Sequence, residues 1–164
     1  LGAKILVYHG DFMQNKFEFK KSCENYHKLY KIGLEYGVSL CQENVVRCKC
    51  GLAENIILMR DYLNDEVEFV FDLKQSLRSG EPNEKMLNAM RGKLRHIHIS
   101  DFCEENDCIL PGKGNADFIK LAKLLQEQNY QGDIILELYK NGYDKPKELV
   151  DAIKWLETLG KPFA

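Results

Sequence analysis

Val67-Glu-Phe-Val-Phe-Asp72 is apolar or aromatic at four of its six positions and closes on a carboxylate. A short run of β-branched and aromatic residues reads as a strand covered on both faces, the habit of a parallel sheet. Working outward, four more runs share the design: Lys4–His9 and Val38–Glu43 precede it, Leu94–Ser100 and Asp133–Tyr139 follow it. They recur at roughly 30-residue intervals, the length of one strand-and-helix unit. The segments between them carry apolar residues at helical intervals. Helices are expected over Phe17–Tyr36, Leu52–Leu63, Asn83–Arg91, Ala116–Gln128 and Lys145–Leu159. In the first, Phe19, Cys23, Tyr26, Leu29, Tyr30 and Leu34 are expected to share one stripe. Gly37 and Gly92 stand where helices should stop, and Pro146 where one should start.

Strands alternating with helices imply an α/β protein with a parallel sheet, either open and doubly wound or closed into a barrel. The strand tips separate the two. The runs deliver His9, Glu43, Asp72, His98 and Glu137, each able to bind a metal or move a proton. A barrel gathers one such group from each of many strands at a single rim, whereas an open sheet converges ligands from two or three strands. The tips therefore favour the barrel. Counting back by twos places Val7, Cys41, Val70, His96 and Ile135 on the same face as the tips, facing the interior. Four are small or apolar, and His96 reads as a satisfied interior imidazole.

Three carboxylates and one imidazole make an oxygen-rich donor set suited to one divalent ion, Mn²⁺, Mg²⁺ or Co²⁺, with Zn²⁺ also accommodated. The rest of the chain limits the partners. With 164 residues, 45% apolar, it is expected to form one domain over 1–164. A net charge of −2 from 23 basic and 25 acidic residues supplies no basic face for nucleic acid. There is no apolar run of membrane-spanning length, and the start LGAKILVYHG lacks the features of a secretory leader. Cys23, Cys41, Cys48, Cys50, Cys103 and Cys108 form no paired CxxC array, so reduced thiols and a cytoplasmic location are expected.

Several phrases also look familiar: QEN at 42–44, FVFD at 69–72, HIHISD at 96–101, LPGKGNADF at 110–118 and ILEL at 135–138. In order and spacing they resemble the sugar phosphate isomerase and epimerase group of xylose-isomerase-like (β/α)8 TIM barrels, a superfamily that also holds zinc apurinic endonucleases. VYHG at 7–10 is similar to the strand that carries a histidine just before the first metal glutamate. The resemblance implies that Glu43, Asp72, His98 and Glu137 bind the metal, with Glu43 and Glu137 as the catalytic acid/base pair. It places His9 against the substrate. A divalent ion holding a carbonyl and the adjacent hydroxyl acidifies the C–H between them, and a carboxylate on each face can remove and return that proton. The Pro111–Gly114 turn offers backbone N–H groups, and Lys113 a charge, for an anionic tail of the substrate.

Three departures restrict the reading. Gln75 stands three residues after Asp72, where this superfamily usually has histidine, which argues for one metal rather than several and leaves Gln75 as a substrate contact. Glu104, Glu105 and Asp107 replace an arginine that ketose 3-epimerases use. Third, a full barrel has eight units and about 250 residues, whereas this sequence supplies the C-terminal five. Two open sheet edges are then expected, covered by upstream strands or by a second copy in a homo-oligomer. The expected function is a metal-dependent isomerase or epimerase of a small sugar, sugar phosphate or polyol. The alternatives are a related dehydratase, a non-catalytic barrel fragment and an apurinic endonuclease-like phosphodiesterase.

Overall fold

A computed structural model of the chain describes residues 2–16 and 18–164. Its strands are β1 (Ile5–Tyr8), β2 (Ser39–Glu43), β3 (Glu68–Asp72), β4 (Leu94–Ile99) and β5 (Asp133–Leu136), in the sheet order β1-β2-β3-β4-β5. The helices are α1 (Phe19–Glu35), α2 (Ala53–Tyr62), α3 (Leu73–Ser79), α4 (Asn83–Ala89), α5 (Phe118–Glu127) and α6 (Pro146–Glu157). Phe17, placed at the head of the first expected helix, lies outside the described residues. The chain divides into two compact units, one up to Arg95 and one over His96–Ala164.

In the first unit, β1 pairs with β2 and β2 with β3, both parallel. Leu40, Cys41, Phe69, Val70 and Phe71 are buried, as two-faced coverage requires. Helix α1 is anchored by Tyr26, whose hydroxyl donates to Leu40 O at 2.7 Å and accepts from Glu68 N at 3.1 Å. One phenol thus ties the helix to two strands, and burial pushes its pKa well up. Close approach of helix and strand also explains Gly33, where a Cβ would come within 2.6 Å of Val38 O. The stripe on α1 is narrower than expected: Cys23 and Tyr26 are buried, while Leu29 and Leu34 are exposed.

Helix α3 has no counterpart in the sequence reading. It starts directly from the tip of β3, because Asp72 caps it by accepting from Gln75 N at 2.9 Å. With no intervening loop, its first apolar residue runs straight on from the apolar strand and no separate period stands out. Gly80 ends it in the left-handed conformation, with φ of 72°.

In the second unit β4 and β5 pair in parallel, with His98 opposite Ile135 and Ile99 opposite Leu136. Helix α5 buries Phe118, Leu121, Ala122 and Leu125, and its Asp117 cap accepts from Lys120 N at 2.8 Å. Helix α6 starts at Pro146 as expected, and Glu148 Oε2 secures that start by accepting from Asp144 N and Lys145 N, both at 2.8 Å. Strand β5 is shorter than its apolar run, so Glu137 lies just beyond it. Ile135, expected in the interior, is 49% exposed. It lies on a strand that ends the sheet order, where a residue has a neighbouring strand on one side only. Among the described residues no helix is long and apolar enough to cross a membrane.

Candidate metal centre

The first unit contributes Glu43 and Asp72, each the last residue of its strand and each buried. Asp72 is held by side chains that sequence reading gave no role, Glu43 by His9. Asn44 clasps Asp72 with both ends of its amide, its Nδ2 donating to Asp72 O at 3.1 Å and its Oδ1 accepting from Asp72 N at 2.7 Å. The Asp72 carboxylate has Oδ1 on Gln75 N, and Oδ2 lies 3.5 Å from the ammonium of Lys74. Gln75, expected against substrate, is half-buried and its side-chain carbonyl accepts from Val46 N at 3.1 Å. That bond leaves its NH2 end for any outward role. His9 Nε2 lies 2.9 Å from Glu43 Oε2, and the His9 carbonyl accepts from Gln42 Nε2 at 2.9 Å. The histidine side chain is 57% exposed above a glutamate that is 4% exposed.

The second unit contributes His98 and Glu137, with His98 Nδ1 3.1 Å from Glu137 Oε2. Glu137 N–H donates to Ile99 O at 3.0 Å, and its carbonyl lies 3.4 Å from the Cys108 thiol. Its side chain is 41% exposed. His96 is buried, with its ring edge-on to His98 at 5.1 Å between centroids, in keeping with the interior position expected of it.

In the first unit a carboxylate oxygen of Glu43 and one of Asp72 lie within 4.8 Å of each other. The donor chemistry fits a divalent ion. Two ligands about 2.2 Å from a shared ion at a right angle are about 3.1 Å apart, which is the His98–Glu137 spacing. Two buried carboxylates brought so close repel one another unless a cation intervenes.

The turn expected to greet an anionic tail is organised otherwise. Asp101, buried and also missed by sequence reading, accepts from Phe102 N and Ala116 N through Oδ1 and from Gly112 N and Gly114 N through Oδ2, at 2.8 to 3.0 Å. The Lys113 N–H goes to Leu110 O. The expectation that these amides would hold a ligand is therefore corrected: a carboxylate from the same chain already holds them. A Cβ at Gly114 would collide with the Phe102 carbonyl, which accounts for a glycine there. Lys113 lines a cleft of about 340 Å³ with Glu148, Asp151 and Trp155. Hydrogen bonds from the Lys145 and Asp144 amides lower the Glu148 pKa, and one from Lys147 lowers that of Asp151.

All six cysteines are free thiols. Burial pushes Cys23 up to about 11 and Cys41 up to about 12, which keeps both in the neutral form near neutral pH.

The model of the xylose isomerase-like TIM barrel family matches residues 1–159. Inosose dehydratase of Clostridium perfringens is 25% identical over 151 residues, which is 80% of this chain and 50% of that enzyme. Two solved structures resemble it in fold. One is the Escherichia coli 3-keto-D-glucoside 4-epimerase, with a TM-score of 0.75 at 20% identity, covering 94% of this chain and 63% of that one. The other is the IOLI protein with a bound zinc atom, with a TM-score of 0.71 at 23% identity, covering 99% and 63%. The chain spans about half the length of the curated relatives it matches. Its five parallel strands and their helices are units of a TIM barrel, and the chain belongs to the xylose isomerase-like TIM barrel family.

Proposed function

We propose that the protein to which this chain belongs is a metal-dependent enzyme that moves a proton next to the carbonyl of a small keto sugar or polyol. The observation that carries the reading is that each unit sets two side chains able to bind a metal side by side, Glu43 with Asp72 and His98 with Glu137. These four side chains would hold one divalent ion, Mn²⁺, Mg²⁺, Co²⁺ or Zn²⁺, which when bound polarises a substrate carbonyl and its neighbouring hydroxyl. Glu43 and Glu137 are the acid/base pair, one removing the proton from the carbon and the other returning it. His9, in contact with Glu43 and open to solvent, orients that carboxylate and meets the substrate. Gln75 and Lys113 are the further substrate contacts. Relatives named for an inosose and for a 3-keto-glucoside support a keto substrate. Return of the proton gives an isomerase or epimerase, and loss of a neighbouring hydroxyl gives a dehydratase.

Deuterium exchange tests the reading. The chain is incubated with Mn²⁺ and a series of keto sugars and keto-cyclitols in D₂O, and proton NMR follows the C–H beside the carbonyl. Exchange is expected for at least one substrate, falling about 100-fold or more in E43Q and in E137Q. With the whole protein, metal binding and no exchange on any substrate would reject the catalytic reading; exchange by the whole protein and none by this chain would make the chain a non-catalytic piece of the barrel.

A further inference from the structure

Lysine is almost never fully buried unless it is paired, because stripping water from an ammonium is costly. Lys74 has a side chain only 2% exposed, and its Nζ lies 3.5 Å from Asp72 Oδ2. It belongs to the first turn of α3, the helix that Asp72 itself caps, so the same local fold sets both groups. At 3.5 Å the pair is longer than the usual 2.7–2.9 Å or so of a charge-assisted hydrogen bond. The ammonium thus stands as a nearby charge and does not capture the oxygen as a tight donor would.

We infer that Lys74 is a positioning residue that balances the charge of the metal centre and sets which ionic charge the centre prefers. This rests on the metal reading above. Glu43, Asp72 and Glu137 carry three negative charges and a divalent ion two positive ones, leaving an excess of one negative charge in a partly buried site. Lys74 cancels it. With no metal bound, the same ammonium offsets part of the repulsion around Asp72 and keeps its carboxylate aligned for the incoming ion. The centre is therefore tuned to a +2 ion: a +3 ion would leave it positively charged.

The test is metal binding by the chain, free of any assay of turnover. Calorimetry gives the Mn²⁺ affinity and sensitised luminescence the Tb³⁺ affinity, for the wild type, K74M, K74Q and K74R. Removing the charge is expected to tighten Mn²⁺ binding on the order of tenfold or more, and Tb³⁺ binding by more than that, since the lost repulsion scales with ionic charge. The Tb³⁺/Mn²⁺ affinity ratio should therefore rise in K74M and in K74Q and stay near the wild-type value in K74R. If K74M does not fold, K74Q gives the same reading with a polar side chain. A wild type that binds neither ion overturns the metal reading itself. A wild type that binds Mn²⁺ while the neutral variants keep the same ratio, with affinities unchanged or equally weakened, leaves the metal reading standing and overturns the role of Lys74.

Discussion

The two pairs of candidate ligands are braced very differently. Glu43 and Asp72 are buried at the ends of β2 and β3, with Asn44 and the Gln75 amide gripping Asp72, Lys74 close by and His9 resting on Glu43. Glu137 is much more exposed and lies past the end of β5, with a backbone bond to Ile99, His98 Nδ1 3.1 Å from its Oε2 and a weak thiol contact from Cys108 at its carbonyl. Bracing in the second unit is concentrated on Asp101 and the turn it organises. Glu43 and Asp72 end strands inside the sheet order and are buried, while Glu137 follows the strand at the end of that order and keeps its side chain 41% exposed.

The largest expected effect breaks the well-braced side. N44A removes both partners of the buried Asp72 backbone, and two orphaned groups should cost about 2–5 kcal/mol, read as a drop in the urea midpoint. A loss below about 0.5 kcal/mol would mean that the clasp carries no stability. In the second unit, D101N leaves one carbonyl oxygen and an NH2 where four backbone donors now meet a carboxylate. At least two of those bonds should fail, at about 1–3 kcal/mol, with faster amide exchange at Gly112 and Gly114. Unchanged exchange there would show that the turn holds without Asp101.

The smallest expected effect is a pH trend confined to the first unit. The thiols of Cys23 and Cys41 have pKa values raised by burial, to about 11 and about 12, above the ordinary thiol value. A raised folded-state value favours folding while the thiol is neutral. That contribution is complete below the unfolded pKa near 8.5 and is lost as pH climbs toward 11–12. The urea midpoint should therefore fall across that window, and C41A should flatten the fall. An equal slope in C41A would assign the trend to other groups.

The parts of this fold that could be read in the sequence are those set by local rules. Five apolar runs carried at or near their ends a residue able to bind a metal or move a proton, and the parallel strands form where those runs predict, because two-faced burial demands continuous apolar sequence. The five helices other than α3 followed from their periodicity. What could not be read depended on partners distant in the chain or on an element with no separate period of its own. Helix α3 follows β3 without a loop. The bond that the Gln75 carbonyl accepts from Val46, 29 residues away, has no sign in the sequence. The amides at 112 and 114 looked available until Asp101 folded back onto them. Asn44 and Lys74 are ordinary polar residues in sequence, and only burial gives them their roles.

Asn44 also explains how β2 can stop where it does. The ladder to β3 ends with Glu43 opposite Val70, two residues short of Asp72. Without a neighbour, the Asp72 N–H and carbonyl would be left bare in a buried place. The Asn44 side chain supplies an acceptor and a donor in their stead, a surrogate for one more residue of strand. The main chain of β2 is thereby released to leave the sheet over residues 45–48. An amide arm is a spacer between strands, and the room it opens at the rim is room in which two buried carboxylates can stand side by side.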